Sequence, residues 1–322
     1  MKETTTAIYI IMAVAVFGAL LALATAFDFN VSLLLADLQE GEYHSQNLFA
    51  CIFETIGEMP LYFFLAYAAA VVFWNAFYAK NPYIKYVLMT IAAIGICFLG
   101  YYVPNKASKY VLELGGSVIA NPILDIVLDV LFDIAFSAAA IFGVLSTGKK
   151  NIKKQLGFAV IIFFVAASTQ AFTQGLKFIN KRVRFRAMNA LGEFDYFTPW
   201  YSINGYPDEF KAIASTLGSG DCLRSFPSGH TTAAGITYTL LALPYAFSGL
   251  NKKGWKIFFT LISVTYTGTV AVSRIVMGAH YFSDVLVGGS VAFLAATVAV
   301  WLIYKKKIIS PLQKYIGDES QD

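Results

Sequence analysis

Charge, cysteine and histidine are all scarce in this chain. Charged residues hold 14% of its 322 positions, against about a quarter in an ordinary soluble domain, which argues against a soluble globular fold. The net charge is only +4, and no basic stripe interleaved with aromatics runs along the chain, so a nucleic-acid partner is excluded. Three cysteines, Cys51, Cys97 and Cys222, fit neither a disulfide framework nor a zinc site. Independent free thiols are expected, with a Cys51–Cys222 bridge as the alternative. No internal repeat, low-complexity tract or soluble second domain is visible.

Long apolar runs are what the chain has. Hydrophobic residues make up 57% of it, and mean hydropathy is +0.62. A helix needs about 20 apolar residues to cross the hydrocarbon core. Candidate spans fall at 7–27, 61–79, 84–104, 124–147, 157–176, 229–249, 256–276 and 284–304. The expected fold is therefore an all-α polytopic transmembrane bundle of about eight spans. The first run follows only Lys2 and lacks a small-residue cleavage site, so it reads as a retained span.

Lysines set the orientation. Lys80 and Lys85, then Lys149, Lys150, Lys153 and Lys154, then Lys252, Lys253 and Lys256, then Lys305, Lys306 and Lys307 all fall on one side. The positive-inside rule places that side, and both termini, in the cytoplasm. A plasma membrane, bacterial by the pattern of its loops, is the expected location, with the alternate loops outside. Residues 309–322 form a polar cytoplasmic tail.

Two of the three histidines lie in motif strings at the outer face. Ser273, Arg274, His280 and Asp284 form S-R-x5-H-x3-D, and Pro227 to His230 form P-S-G-H. Upstream, Lys177 and Arg184 make K-x6-R. His280 and Asp284, four apart, share a helix face, so the carboxylate can accept from one ring nitrogen and leave the other free to attack phosphorus. Lys177, Arg184 and Arg274 offer fixed positive charge for a phosphate, and arginine adds a fork for two oxygens. Ser228 and the Gly229 amide sit where a helix N-terminus favours an anion. His230 has the titration range of a proton donor. His44 belongs to no string and reads as an ordinary polar residue.

These strings resemble the type 2 phosphatidic acid phosphatase superfamily over residues 84 to 304. The resemblance implies a six-helix phosphatase core at 81–308, preceded by two additional helices at 1–80. It implies catalysis by His280, His230 and Asp284: His280 becomes a phosphohistidine, and His230 protonates the leaving oxygen. Substrate phosphate is held by Lys177, Arg184, Ser228, Gly229 and Arg274, with neither metal nor cofactor. The substrate is a membrane lipid phosphate, such as undecaprenyl diphosphate, phosphatidylglycerol phosphate or phosphatidic acid. Alternatives are a soluble sugar phosphate, as in the glucose-6-phosphatase branch, a phosphotransferase, and a non-catalytic lipid transporter or binding protein. The family's first motif ends in Arg-Pro, whereas Phe185 follows Arg184 here.

Three features lie outside the motifs. Residues 175–228 read as a long outer loop whose Tyr196, Phe197, Trp200 and Tyr201 suit an interfacial belt. Lys181, Arg182 and Arg186 are candidates for secondary headgroup contacts. Asp125, Asp129 and Asp133 stack on one helix face, and their cost in a membrane calls for bundle-facing positions, with Lys106 and Lys109 as partners or, alternatively, a metal site.

Overall fold

The computed structural model describes residues 2–113 and 149–305, with residues 130, 134, 137–138 and 140–145 between them. Asp125, Asp129 and Asp133, most of the expected span 124–147 and the tail 309–322 lie outside the described residues. Among those described there are helices and no strand. The long helices are α1 (Lys2–Leu35), α3 (Met59–Phe77), α4 (Pro82–Glu113), α5 (Lys149–Asn180), α10 (Lys253–Val276) and α11 (Phe282–Val300). Shorter ones are α2 (Leu48–Ile56), α6 (Phe185–Leu191), α7 (Asp208–Thr216), α8 (Gly229–Ala234) and α9 (Leu243–Ala246). Among the described residues six helices are long and apolar enough to cross a membrane, and the chain is an all-α polytopic bundle.

The expected span at 229–249 is not a continuous α-helix. It is α8, then a 3-10 stretch at Gly235–Ala242, then α9. Close packing explains the change of pitch. A Cβ on Gly235 would come within 2.3 Å of the Ala292 Cβ on α11. Thr237 and Thr239 donate to backbone carbonyls three residues back. At about 2.0 Å per residue, the 3-10 part stretches the segment to roughly 31 Å, enough to match the hydrocarbon core.

The core is built from alanine and branched apolar residues. Ala68 and Val71 of α3, Ile161 and Val165 of α5, Ile236, and Ala292 and Ala296 of α11 are buried together. Small side chains let helix backbones approach closely where lipid cannot drive association. Large apolar residues such as Val14, Ile91, Leu261 and Leu294 are exposed instead, on faces suited to lipid.

Residues 181–228 fold back as a cap rather than a bare loop. Val183, Phe185, Met188, Phe210, Leu223 and Tyr281 form a second buried cluster, with Phe29 of α1 packed against it. Phe197 lies 5.4 Å from Tyr281, and Trp200 packs 5.9 Å from Phe226. Of the expected aromatic belt, Tyr196 and Phe197 are half-buried against this cap, whereas Tyr201 is exposed. The three cysteines are free thiols.

Candidate active site

Lys177 sits in the last turn of α5, and Asn180 ends that helix by donating to the carbonyls of Trp200 and Ser202 at 2.9 and 2.7 Å. Lys181 then adopts φ 51°, a left-handed turn that costs a non-glycine residue roughly 1 kcal/mol. It swings the chain into an extended stretch on which Arg182 and Arg184 are both buried. Arg184 has φ −75° and ψ 148°, and Phe185 opens α6. That is the first helical position, which proline would suit; here the Phe185 ring is buried in the cap cluster instead. Arg184 is held without proline, since its amide donates to Cys222 O at 2.8 Å and its Nε to Asp221 O at 2.9 Å.

The other two strings arrive from the opposite wall. Arg274 closes α10, and Gly278 at φ +65° turns the chain towards α11. A Cβ on Gly278 would meet Leu38 Cδ1 at 2.6 Å. α8 packs against α11, where a Cβ on Gly288 would lie 2.8 Å from Ser228 O. That contact fixes His230 relative to His280.

Lys177, Arg184, Gly229, His230, Arg274 and His280 all line one cavity of about 870 Å³. Ser228 and Asp284 are completely buried beside it. The Ser228 hydroxyl is taken up in capping α8, accepting from the Thr231 amide at 3.3 Å.

Asp284 departs from its expected contact. Its Oδ2 is 3.6 Å from His280 Nδ1, while that nitrogen is 2.6 Å from the Ser225 carbonyl. The carboxylate is occupied elsewhere: it accepts from the Tyr281 amide at 2.9 Å, from Ser225 Oγ at 2.5 Å and from Arg182 Nη1 at 2.7 Å. As the third residue of α11 it serves the helix start, in the manner of a capping box. A carbonyl only accepts, so His280 carries its hydrogen on Nδ1 and keeps its lone pair on Nε2.

Asp28, Glu54 and Glu58 were not singled out by sequence, and Arg182 was expected at the headgroup. Arg182 does not reach the cavity. It is fully buried, donating to Asp28 Oδ2 at 2.9 Å and to Thr198 O at 2.8 Å as well as to Asp284, with Tyr281 4.0 Å beneath its guanidinium. Asp28 also accepts from the Ser283 amide at 2.7 Å. Glu54 and Glu58 line the cavity. Arg274 Nη2 donates to Glu54 Oε1 at 3.0 Å, and Arg186 Nη1 lies 3.6 Å from the same oxygen. Lys106 also reaches the site, where it pairs with Glu58. The readable signal for Asp28, Glu54 and Glu58 was the cost of a carboxylate inside an apolar run.

The cavity remains strongly cationic, with seven lysines and arginines and three carboxylates in its lining. Burial opposes ionisation of Asp221, but the Arg184 and Arg186 guanidiniums outweigh it and hold the carboxyl well below the usual range. His280 is pushed well below an ordinary histidine, first by burial and then by Arg184, Lys177 and Arg274. In the phosphate-free protein, His280 is therefore expected to stay neutral in the Nδ1–H form from pH 7 to below about 6.5. Histidine-selective ¹⁵N NMR in detergent would check this; titration at or above the ordinary value would contradict it.

Residues 158–308 match a family model described as the PAP2 superfamily. A curated relative, the lipid A 1-phosphatase of Porphyromonas gingivalis, is 32% identical over 83 residues. The match covers 26% of this chain and 17% of that protein. No solved structure matches.

Proposed function

This chain carries a PAP2 superfamily domain over residues 158–308, and from that premise we propose that it is an integral-membrane lipid phosphatase working through a phosphohistidine at His280. The observation that carries this is the convergence of all three strings on one cavity. Phosphoryl transfer needs positioning and charge stabilisation above all, and Lys177, Arg184 and Arg274 line that cavity with both histidines.

In the proposed cycle, His280 Nε2 bonds to phosphorus while the bond to the leaving oxygen breaks, and His230 supplies a proton to that oxygen. The ring becomes cationic, and the Ser225 carbonyl on Nδ1 with the Asp284 carboxylate behind it favours that charge. Asp284 acts by position: through Ser225 and the Tyr281 amide it fixes the turn that carries His280. Water then hydrolyses the phosphohistidine.

A lipid substrate is supported by the walls. Leu61 and Leu65 of α3 and Phe98 and Leu99 of α4 line one side of the cavity, and Phe98 is largely exposed on the bundle surface. An isoprenoid diphosphate or a glycerolipid phosphate fits this arrangement. The curated relative's name adds a phosphorylated glycolipid to the substrates worth testing.

Orientation has independent support. The lysine clusters lie at the start of α4, α5 and α10 and beyond α11, whereas Lys106, Lys177, Arg274 and His280 lie at the other ends. By the positive-inside rule this supports a cavity at the extracytoplasmic face with both termini in the cytoplasm.

The test is phosphate release by detergent-solubilised protein in excess chelator. The panel holds undecaprenyl diphosphate, phosphatidylglycerol phosphate, phosphatidic acid, lipid A and glucose 6-phosphate. Release from a lipid member is expected; release from glucose 6-phosphate alone would favour the sugar-phosphate reading, and none from any member would overturn the proposal.

A further inference from the structure

Glu54 and Glu58 flank the break between α2 and α3, where Gly57 closes the first helix and Glu58 precedes the second. Carboxylates repel phosphate, yet both line the phosphate cavity. The Glu54 carboxylate is taken up by Arg274, and the contacts of this segment to His230 give the reason for Glu58. His230 Nε2 is 3.1 Å from the Glu54 carbonyl oxygen, and Nδ1 is 3.2 Å from Glu58 Oε1.

A carbonyl can only accept, so Nε2 bears a hydrogen. The Glu58 oxygen and a lone pair on Nδ1 would both be acceptors, and two acceptors at this distance are held together only by a proton between them. The pair therefore holds one dissociable proton beyond Nε2–H. Glu58 is anchored from its other side, where Oε2 accepts from Lys106 Nζ and, at 3.0 Å, from Tyr62 OH. The α2–α3 break lies within the N-terminal 80 residues, outside the stretch that resembles the phosphatase core.

We infer that Glu58 is a positioning and proton-sharing residue for His230, and that the pair, rather than the imidazole alone, protonates the leaving group. This rests on the phosphatase reading of the same cavity. As the phosphorus–oxygen bond breaks, the shared proton passes to the leaving oxygen, leaving Glu58 ionised and His230 neutral with Nε2–H. In the second half, the pair takes a proton from the attacking water as the phosphorus–Nε2 bond to His280 breaks. The negative charge held in between lies against Lys106. The N-terminal 80 residues are then part of the catalytic apparatus and not only an anchor.

The inference is tested with Glu58→Gln, which keeps the side-chain shape but holds no transferable carboxyl proton. Two soluble esters serve as probes, an alkyl phosphate and 4-nitrophenyl phosphate, whose nitrophenolate leaves without protonation. Loss of a general acid removes about 10²-fold or more from a rate that needs it. That loss is expected on the alkyl ester, with a fall of less than about tenfold on the aryl ester and unchanged inhibition by inorganic phosphate. Glu58→Asp, which keeps a carboxyl at shorter reach, is expected to show a smaller split between the esters. Equal loss on both esters in either variant would reveal a purely structural role and overturn the inference, as would no loss on either. Wild-type protein inert towards both esters and towards every member of the lipid panel would overturn the phosphatase reading itself, and the pair's role with it.

Discussion

His280→Ala is expected to lower phosphate release by about four orders of magnitude or more, since removing a nucleophile deletes the reaction path and not one increment of binding. The effect should fall on kcat. Lys177, Arg184 and Arg274 line the cavity independently of the imidazole, so inorganic phosphate should still compete for the site. Small amounts of added imidazole should restore part of the rate, because the truncation opens a space of that shape beside Ser225. A variant that releases phosphate at wild-type rates, or that loses phosphate binding along with turnover, would contradict the assignment of His280 as nucleophile.

The second large effect concerns folding. Arg182 is fully buried between Asp28 of α1 and Asp284 of α11, 2.9 and 2.7 Å from their oxygens. Removing one partner from a buried ion network leaves uncompensated charge and costs roughly 3–5 kcal/mol. Arg182→Met keeps most of the volume and strands two carboxylates, so its melting temperature in detergent should fall sharply. Asp28→Asn in the same background should recover part of the loss, because one of the stranded charges is gone. A variant that melts with the wild type, or a double variant no better than the single, would show that the network is not what joins α1 to the catalytic turn. Activity should fall too, since Asp284 holds Ser225 and through it the His280 ring.

The bundle and the gathering of the motif residues on one cavity were legible because they depend on local pattern. Apolar run length marks spans, and Lys177, Arg184, His230, Arg274 and His280 stand at span ends in recognisable spacings. The supporting groups were not legible. Asp28, Glu54 and Glu58 lie in apolar segments far from any motif, and their partners, Arg182, Arg274 and His230, are 154, 220 and 172 residues away in sequence for the pairs Asp28–Arg182, Glu54–Arg274 and Glu58–His230. No periodicity encodes which carboxylate meets which cation. Asp284 illustrates a subtler limit: i,i+4 spacing brought it near His280, but the demands of the α11 start took its lone pairs. Gly235 hid its role for the same reason, since only its closeness to Ala292 reveals why the sixth span tightens into a 3-10 helix.

The most direct test of the account is to trap the intermediate. The protein is mixed with the panel lipid it hydrolyses fastest, ³²P-labelled at the terminal phosphate, and quenched within one turnover in alkali, where a phosphorus–nitrogen bond survives and an acyl phosphate does not. The account predicts label on the peptide bearing His280, lost on acid treatment and missing from His280→Ala. Turnover with no label on His280, or label on another residue, would contradict it.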